Sequence, residues 1–206
     1  ERGLLRPAPS GFGLAPDADA SVPSTMLAMW RQRLTGAIEG YSDADTAALE
    51  LGAILGNDVS REEWLEAMDR AGVMSNDHLM SGLERKRLII NHPKTGGWSF
   101  VHALFRAALM ERVEHHGRTR QWSSIAADTM PSAPQHVGRK ARFLMAANRT
   151  EEALEPLYRT VVRLARLGEY ARARHLLTVR QELMQSLPIG PRSPEALGSA
   201  VAAIMV

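Results

Sequence analysis

The sequence predicts a mainly α-helical fold, in which a helical bundle is followed by a strand–loop–helix segment and an αα-hairpin, with extended arms at both ends. Three observations predict this fold. Apolar residues recur at helical spacing through most of residues 25–187. Leu88–Ile90 is a short run typical of a strand, and Pro and Gly collect near both ends of the chain. With 206 residues, 45% of them hydrophobic, the chain can bury a substantial core.

The composition excludes several kinds of site. The chain has no cysteine, so it forms no disulfide and offers no thiolate as a metal ligand or nucleophile. No apolar run approaches the roughly 20 residues that a membrane-spanning helix needs. We therefore expect a soluble protein without a membrane span, located in an intracellular compartment or an organelle matrix rather than secreted.

Both ends of the chain are rich in residues that disfavour regular structure. Residues 1–24 contain four prolines and three glycines, and residues 188–206 begin with a Pro- and Gly-containing stretch. Proline lacks an amide donor, and glycine loses the most entropy on ordering. The sequence therefore predicts an extended arm over residues 1–24 and a C-terminal tail over residues 188–206, both suited to lying along a partner.

Residues 25–84 have the pattern of an acidic helical bundle. A first helix is predicted to begin at Ser24 or Thr25, which are both good N-cap residues. A second helix is predicted from Ser42, or the residue after it, to about Gly56. The apolar stripe predicted for the first helix consists of Met26, Met29, Trp30, Leu34 and Ile38.

The third helix of this bundle has the clearest start and stop signals. Ser60 and Glu63 have the spacing of a capping box, in which each side chain accepts from the other's backbone amide. Gly72 suits the left-handed position that ends a helix. A short fourth helix is predicted over residues 76–83. The apolar face predicted for the third helix consists of Trp64, Leu65 and Met68.

The net charge of +2 hides a division of charge along the chain. Residues 1–84 carry six basic and fourteen acidic residues, a net charge of −8. Residues 85–206 carry nineteen basic and nine acidic residues, a net charge of +10. The change falls at Glu84–Arg87 and separates the acidic bundle from a basic, mostly helical segment over residues 85–187. Either the two parts neutralise each other, or the basic part meets an anionic partner.

The most specific local motif follows this change of charge. Residues 88–105 have the pattern of a strand, the loop Asn-His-Pro-Lys-Thr-Gly-Gly-Trp-Ser and an amphipathic helix. Glycines let a backbone approach a phosphate, amides at a helix N-terminus point at an anion, and a lysine neutralises it. The motif therefore predicts an anion or nucleotide site, although the same residues also make a good surface turn.

This segment resembles the 5′-phosphosulfate loop of sulfotransferases that use 3′-phosphoadenylyl sulfate. Members of that family have a strand, then Pro-Lys-Thr-Gly-Gly-x-Ser, then a helix. The resemblance covers about 18 residues and implies that 3′-phosphoadenylyl sulfate binds here. It implies that Lys94 contacts the leaving phosphate, within a cradle formed by Thr95, Gly96, Gly97 and Ser99.

The rest of the chain is predicted to be a loop and then helices. Residues 117–140 have the pattern of a loop, because glycines and prolines interrupt the apolar spacing. From Arg139 to about Leu187 the pattern is helical. Within this part, residues 154–187 resemble a single tetratricopeptide-type hairpin with its turn at Leu167–Tyr170. One such unit cannot bury both faces, so it is either a docking surface or an ordinary αα-hairpin packed on its neighbours.

Arginine dominates the basic residues, with 22 Arg against three Lys. A guanidinium binds phosphate through paired hydrogen bonds, so this half is a candidate for contacting RNA, DNA or an acidic protein surface. The bias toward arginine can also be merely compositional. The predicted polyanion contacts are Arg139, Lys140, Arg142, Arg159, Arg163, Arg166, Arg172 and Arg174.

No set of residues in the sequence indicates catalysis. Nucleophile-elbow, zincin and dinucleotide-binding motifs are absent, and the histidines do not supply the three or four ligands that zinc needs. We therefore predict no catalytic residue, no metal and no cofactor. The leading hypothesis is a non-catalytic helical subunit of a larger complex, with a ribonucleoprotein as one candidate. The alternatives are a sulfotransferase-like enzyme, or a degenerate relative, and a helical adaptor that binds a peptide through the hairpin.

Overall fold

The computed structural model describes residues 5–8, 11–14, 24–74, 77–131, 133, 136–185 and 187. The chain divides into two compact units, Glu1–Arg118 and Thr119–Val206. The described residues form nine α-helices and five short strands, so the predicted mainly α fold is confirmed. Among these residues, no helix combines the length and apolar character that crossing a membrane requires.

The predicted N-terminal arm contains a small hairpin. Strand β1 (Leu5–Ala8) pairs antiparallel with β2 (Gly11–Leu14). The rest of the predicted arm, and the predicted tail over residues 188–206, lie outside the described residues.

The first helix shows that its predicted apolar stripe is partly wrong. Helix α1 (Ser24–Ile38) begins where the sequence predicts, but Met26 and Met29 are exposed. Leu34 of the predicted stripe is buried, and so is Ala37, which the stripe does not include, because α1 packs on a later helix with the C-terminal part of this face. Apolar spacing therefore located the helix but did not identify which of its residues are covered.

Helix α2 (Asp43–Leu55) is the central helix of the first unit. Every residue from Asp45 to Leu55 is buried, which matches its nearly uninterrupted apolar sequence. Ser42 is its N-cap and forms a full capping box with Asp45. The predicted beginning and end of this helix are confirmed.

Helices α3 (Arg61–Ala71) and α4 (Asp77–Arg85) complete the bundle. Gly72 adopts the left-handed conformation (φ 64°) and ends α3 as predicted. The Ser60 side chain accepts from the Glu63 amide at 3.5 Å, which is one of the two hydrogen bonds of the predicted capping box. The predicted apolar face is also incomplete: its first and last members, Trp64 and Met68, are buried, whereas the residue between them is exposed.

A three-stranded antiparallel sheet lies beside these helices. It consists of β3 (Asp58–Val59), β4 (Ile89–His92) and β5 (Gly97–Phe100), in the order β3-β5-β4. Helix α5 (Ala103–His115) follows the sheet. The predicted strand–loop–helix order is therefore corrected to strand–turn–strand–helix, because Gly-Trp-Ser-Phe extends and pairs with both neighbouring strands.

The second unit is a consecutive array of helices. Its described helices are α6 (Thr119–Thr129), α7 (Val137–Ala146), α8 (Thr150–Arg166) and α9 (Tyr170–Gln185), and each packs on the next. The predicted loop over residues 117–140 is thus wrong over α6 and the start of α7. The glycine and prolines mark the ends of α6, while Trp122, Ala126 and Ala127 supply its buried face.

Helices α8 and α9 form an αα-hairpin. Gly168 takes a left-handed conformation (φ 76°) in the short turn between them. Val161 and Leu164 of α8 meet Ala173 and Leu177 of α9 in a buried cluster. The hairpin is present, while its resemblance to a tetratricopeptide unit remains an interpretation.

The charge is divided less sharply between the units than along the sequence. Residues 1–118 carry thirteen basic and sixteen acidic residues, whereas residues 119–206 carry twelve basic and seven acidic residues. The boundary between the compact units follows Arg118, whereas the change of charge along the sequence falls at residues 84–87. The second unit nevertheless keeps a net charge of +5.

Candidate functional site

The predicted nucleotide loop is the turn of a β-hairpin. Residues 93–96 connect β4 and β5, with His92 paired to Gly97. The amides of Thr95 and Gly96 both donate to the His92 carbonyl oxygen, at 3.1 and 2.9 Å. These two amides are thus engaged within the turn instead of pointing out at the N-terminus of a helix.

The structure explains why both of these positions in the motif are glycines. Gly96 lies in the left-handed region (φ 69°), which glycine adopts without strain. A Cβ on Gly97 would lie 2.6 Å from the carbonyl oxygen of Val59, so β5 can approach β3 this closely only with glycine. The pair Gly96-Gly97 is therefore explained by the hairpin and needs no phosphate.

Ser99 is part of a polar chain across the sheet. Its side chain, only 5% exposed, donates to Asp58 Oδ1 at 2.7 Å and is hydrogen-bonded to His92 Nε2. In a nucleophilic triad the histidine lies between the serine and the acid, whereas here the serine occupies the middle. The chain therefore ties three strands together, and the Ser99 hydroxyl is already engaged.

Lys94 and Thr95 lie at the exposed tip of this turn. No described residue forms an ion pair with Lys94, and the Thr95 hydroxyl is 3.5 Å from the His92 carbonyl oxygen. Of the five predicted anion-site residues, Lys94 therefore has a charged group that an anion can reach. The structure does not bring the others together around one point.

The predicted polyanion contacts lie on the surface of the second unit. Arg139 and Lys140 of α7 are half-buried, and the other six are exposed. The structure therefore leaves all eight at least partly accessible. The six exposed residues are Arg142, Arg159, Arg163, Arg166, Arg172 and Arg174.

Three of these arginines form one stripe along α8. Arg159, Arg163 and Arg166 are spaced four and three residues apart, so they share one face of the helix. This face is opposite to the buried one, which consists of Ala153, Leu154, Leu157, Val161, Leu164 and Ala165. The fold therefore displays a row of guanidinium groups outward.

Two arginines of this surface form weak ion pairs with nearby glutamates. Arg159 Nε donates to Glu155 at 2.7 Å, and Arg172 Nη1 donates to Glu169 at 2.5 Å. All four side chains are exposed, so solvent screens both pairs. Such pairs exchange readily for a stronger anionic partner.

The turn between α8 and α9 adds two exposed apolar side chains. Leu167 is 63% exposed and Tyr170 is 50% exposed, and Arg166 directly precedes them in the chain. The sequence indicates them only as turn residues of a hairpin. Their position at the end of the arginine stripe could have been found from the helical spacing, but their exposure could not.

Other arginines are engaged inside the fold. Arg112 and Arg118 both donate to the fully buried Glu50, each at 3.1 Å. Arg180 is 2% exposed and donates to the Leu154 carbonyl oxygen at 3.0 Å. Sequence alone could not separate these arginines from those on the surface, because their partners are far along the chain.

Arg149 joins α6 to the start of α8. Its guanidinium donates to Asp128 at 2.7 Å, to Ser124 at 3.0 Å and to Glu152. The hydrogen bonds that Arg149 donates to Glu152 and Asp128 raise its pKa above the usual value. The hydrogen bond from Arg149 in turn lowers the pKa of the Glu152 carboxyl. Arg149 is therefore a structural residue of the second unit.

No group of three or more His, Asp or Glu side chains suited to a metal ion occurs within the part of the chain that the structure describes.

Comparison of the chain with models of protein families, with curated proteins and with solved structures gives no match.

Proposed function

We propose that this protein is a non-catalytic helical subunit of a larger assembly, and that its second unit contacts an anionic partner. The observation that carries this proposal is the outward row Arg159, Arg163 and Arg166 on α8. Burying an opposite, apolar face explains why α8 folds, but it does not require three guanidinium groups on the outer face. A partner with regularly spaced negative charges would use all three.

The end of the hairpin supports a specific contact surface. Exposed Leu167 and Tyr170 lie between Arg166 and Arg172 in the chain. Tyrosine and arginine are enriched in interfaces, where an apolar body with a polar end gains contact area and hydrogen bonds together. Neither exposed residue contributes to the buried cluster of the hairpin.

Among anionic partners, single-stranded RNA suits this surface best. Guanidinium groups bind phosphate oxygens in pairs and stack on bases, and Tyr170 offers a ring for stacking. A ribonucleoprotein is accordingly the assembly that we propose. An acidic protein surface is the alternative partner for the same arginines.

The test is the binding of a fluorescently labelled single-stranded RNA, measured by anisotropy over a series of salt concentrations. We expect affinity to fall steeply between about 50 and 200 mM salt, because phosphate contacts release counterions. Replacing Arg159, Arg163 and Arg166 together with glutamine should reduce the slope of log affinity against log salt by about 2.

In a matched control, three other exposed arginines of the first unit are replaced with glutamine: Arg70, Arg85 and Arg87. This variant has the same net charge as the α8 triple variant and should bind RNA like the unaltered protein. Equal losses of RNA affinity in both variants would show that the effect depends only on the net charge of the protein. No RNA binding, or a flat salt response, would contradict the polyanion contact.

A second candidate is a sulfuryl-transfer enzyme, or a relative that kept its nucleotide loop. It is favoured by the accessible Lys94 and by the position of Gly96 and Gly97, which line a cleft of about 480 Å³. Titration with adenosine 3′,5′-bisphosphate tests it. Micromolar binding that is lost in Lys94→Ala would support this candidate over the non-catalytic one, and no binding at millimolar ligand would remove it.

A further inference from the structure

Helix α9 carries two rows of apolar side chains. The first row, Ala173 and Leu177, is buried against α8. The members of the second row are three and four residues apart, so they also follow one face of the helix. Leu176 of this second row packs partly against the buried cluster of the hairpin, which makes the two rows adjacent. The second row consists of the half-buried residues Leu176, Val179 and Leu183.

The second row lies at the end of the described array of helices. Each helix from α6 to α9 packs on the next, and within the described part of the chain α9 packs mainly on α8. The remaining side of α9 is polar and exposes Arg174, Thr178 and Gln181. A helix that ends such an array needs a polar outer surface. An apolar row beside this polar side therefore indicates that a further element packs on α9.

The sequence that follows α9 supplies a segment suited to this row. Ser193, Pro194 and Glu195 are in the order favoured at the start of a helix, as cap, first residue and first-turn acid. After them apolar residues recur at helical spacing, which predicts an amphipathic helix over residues 194–205. The apolar face predicted for it consists of Leu197, Ala200, Val201, Ile204 and Met205.

The lengths of these segments agree with packing back along α9. Residues 188–193 can span up to about 20 Å, which is enough for the chain to reverse its direction. A helix over residues 194–205 is about 18 Å long, whereas Leu176 and Leu183 are about 11 Å apart along α9. An isolated helix of this length is marginal in water, so it needs an apolar surface to pack on.

From these features we propose that residues 194–205 form a helix that packs antiparallel on the second row of α9. The row is thus covered by a segment of the same chain, and not by a second copy or another protein. The reason is the short connection over residues 188–193, which gives the segment an effective concentration in the millimolar range. The chain itself then occupies this apolar side of the hairpin, which leaves the arginine-bearing side for a partner.

The first experiment forms disulfides between introduced cysteines, which is specific because the chain has none of its own. In the full chain, Val179→Cys is combined with one cysteine in the segment, and each variant is oxidised at low protein concentration. We expect an intramolecular disulfide in at least one variant, because a disulfide requires Cα atoms within about 7 Å. Mass spectrometry and non-reducing electrophoresis detect it. The three substitutions in the segment are Leu197→Cys, Val201→Cys and Ile204→Cys.

The control replaces Val179→Cys with Thr178→Cys, on the exposed polar side of α9. The three pairs that contain Thr178→Cys should stay reduced within one chain, since that side chain points away from the second row. An equal yield of disulfide from both series would show that the segment has no preferred position and would overturn the proposal.

The second experiment measures melting of the full chain by circular dichroism. Replacing Val201 and Ile204 together with aspartate should lower the melting temperature by at least about 4 °C, because both belong to the predicted apolar face. Ala202→Asp, on the opposite side of the predicted helix, should shift it much less. In a protein that already carries Val179→Asp, the double replacement should have little further effect, because the same contact is already lost.

Three outcomes would overturn the proposal. The first is that none of the three pairs with Val179→Cys forms an intramolecular disulfide. The second is a melting temperature that the double aspartate replacement leaves unchanged. The third is a disulfide that forms only between two chains, which would assign the second row to a second copy. Because the RNA test concerns the arginines of α8, each proposal can fail without the other.

Discussion

The ring edge of Trp98 lies directly over Gly52 in the middle of α2. A Cβ on Gly52 would be only 2.6 Å from both Cζ2 and Cη2 of this indole. Trp98 also meets Trp64 edge-on, with ring centroids 5.6 Å apart, and Phe100 at 4.9 Å. The absence of a side chain at Gly52 therefore allows the sheet to pack on α2.

We predict that Gly52→Ala destabilises the protein by about 1–3 kcal/mol, because the added methyl group overlaps a rigid indole ring. Gly36→Ala is the matched control, since a Cβ on Gly36 in α1 meets nothing within 4 Å. There the gain in helix propensity should stabilise the fold by about 0.5–1 kcal/mol. Urea unfolding followed by tryptophan fluorescence measures both changes, and an equal sign for the two variants would contradict the packing.

The buried carboxylate of Glu50 gives a second prediction. Its partners Arg112 and Arg118 each donate at 3.1 Å, and their side chains are about one-third exposed. Glu50→Gln should destabilise the first unit by about 3 kcal/mol, since it removes the charge that both guanidinium groups contact. Urea unfolding at neutral pH measures the loss, and a change within about 0.5 kcal/mol would show that the pairs contribute little.

The Arg149–Glu152 pair predicts a dependence of stability on pH. Because the pKa of Glu152 is lowered in the folded state, its contribution is complete above its unfolded pKa and is lost as the pH falls through the folded pKa. Glu152→Gln should therefore lower the melting temperature at neutral pH. The two proteins should melt alike once the pH is below the folded pKa.

The control for this pair is Glu151→Gln. Glu151 is exposed in the same helical turn, and no ion pair to it occurs among the described residues. Its replacement should shift the melting temperature less than Glu152→Gln at neutral pH. Because Glu152 is exposed, the difference should also shrink in high salt. A difference that persists below the folded pKa would point to packing.

Lys86, in the basic run Arg85–Arg87, provides a further prediction. Its Nζ donates to the carbonyl oxygens of Ala37 at 2.8 Å and Gly36 at 3.3 Å, at the C-terminal end of α1. These carbonyl groups carry the negative end of the helix dipole. Lys86→Met should therefore destabilise the fold by about 0.5–1 kcal/mol, whereas Arg85→Met should change it less; thermal melts of both compare them.

Local signals in the sequence were sufficient for several helices. Ser42 and Gly72 mark the start of α2 and the end of α3, because capping depends only on neighbouring backbone groups. By contrast, the sequence predicts loops where strand β5 and helix α6 form. Gly97–Phe100 becomes a strand only through its pairing with β3 and β4, and α6 has few large apolar residues to mark it.

The candidate sites were predictable to different degrees. The stripe on α8 follows from helical spacing, so Arg159, Arg163 and Arg166 were found in the sequence. The cleft lined by Gly96 and Gly97 could not be found, because it forms only through the packing of α3 beside β5. The partner of Arg118 could not be predicted either, because its acceptor Glu50 lies 68 residues earlier in the sequence.

The distance in sequence between Glu50 and its two arginine partners has a consequence for folding during synthesis of the chain. Helix α2 emerges from the ribosome early, but its Glu50 can be buried only after Arg112 and Arg118 have also emerged. A nascent chain that stops before residue 112 holds an apolar helix with a carboxylate that has neither arginine. We therefore expect the first unit to complete its folding in one late step, during which the exposed α2 is a binding site for chaperones.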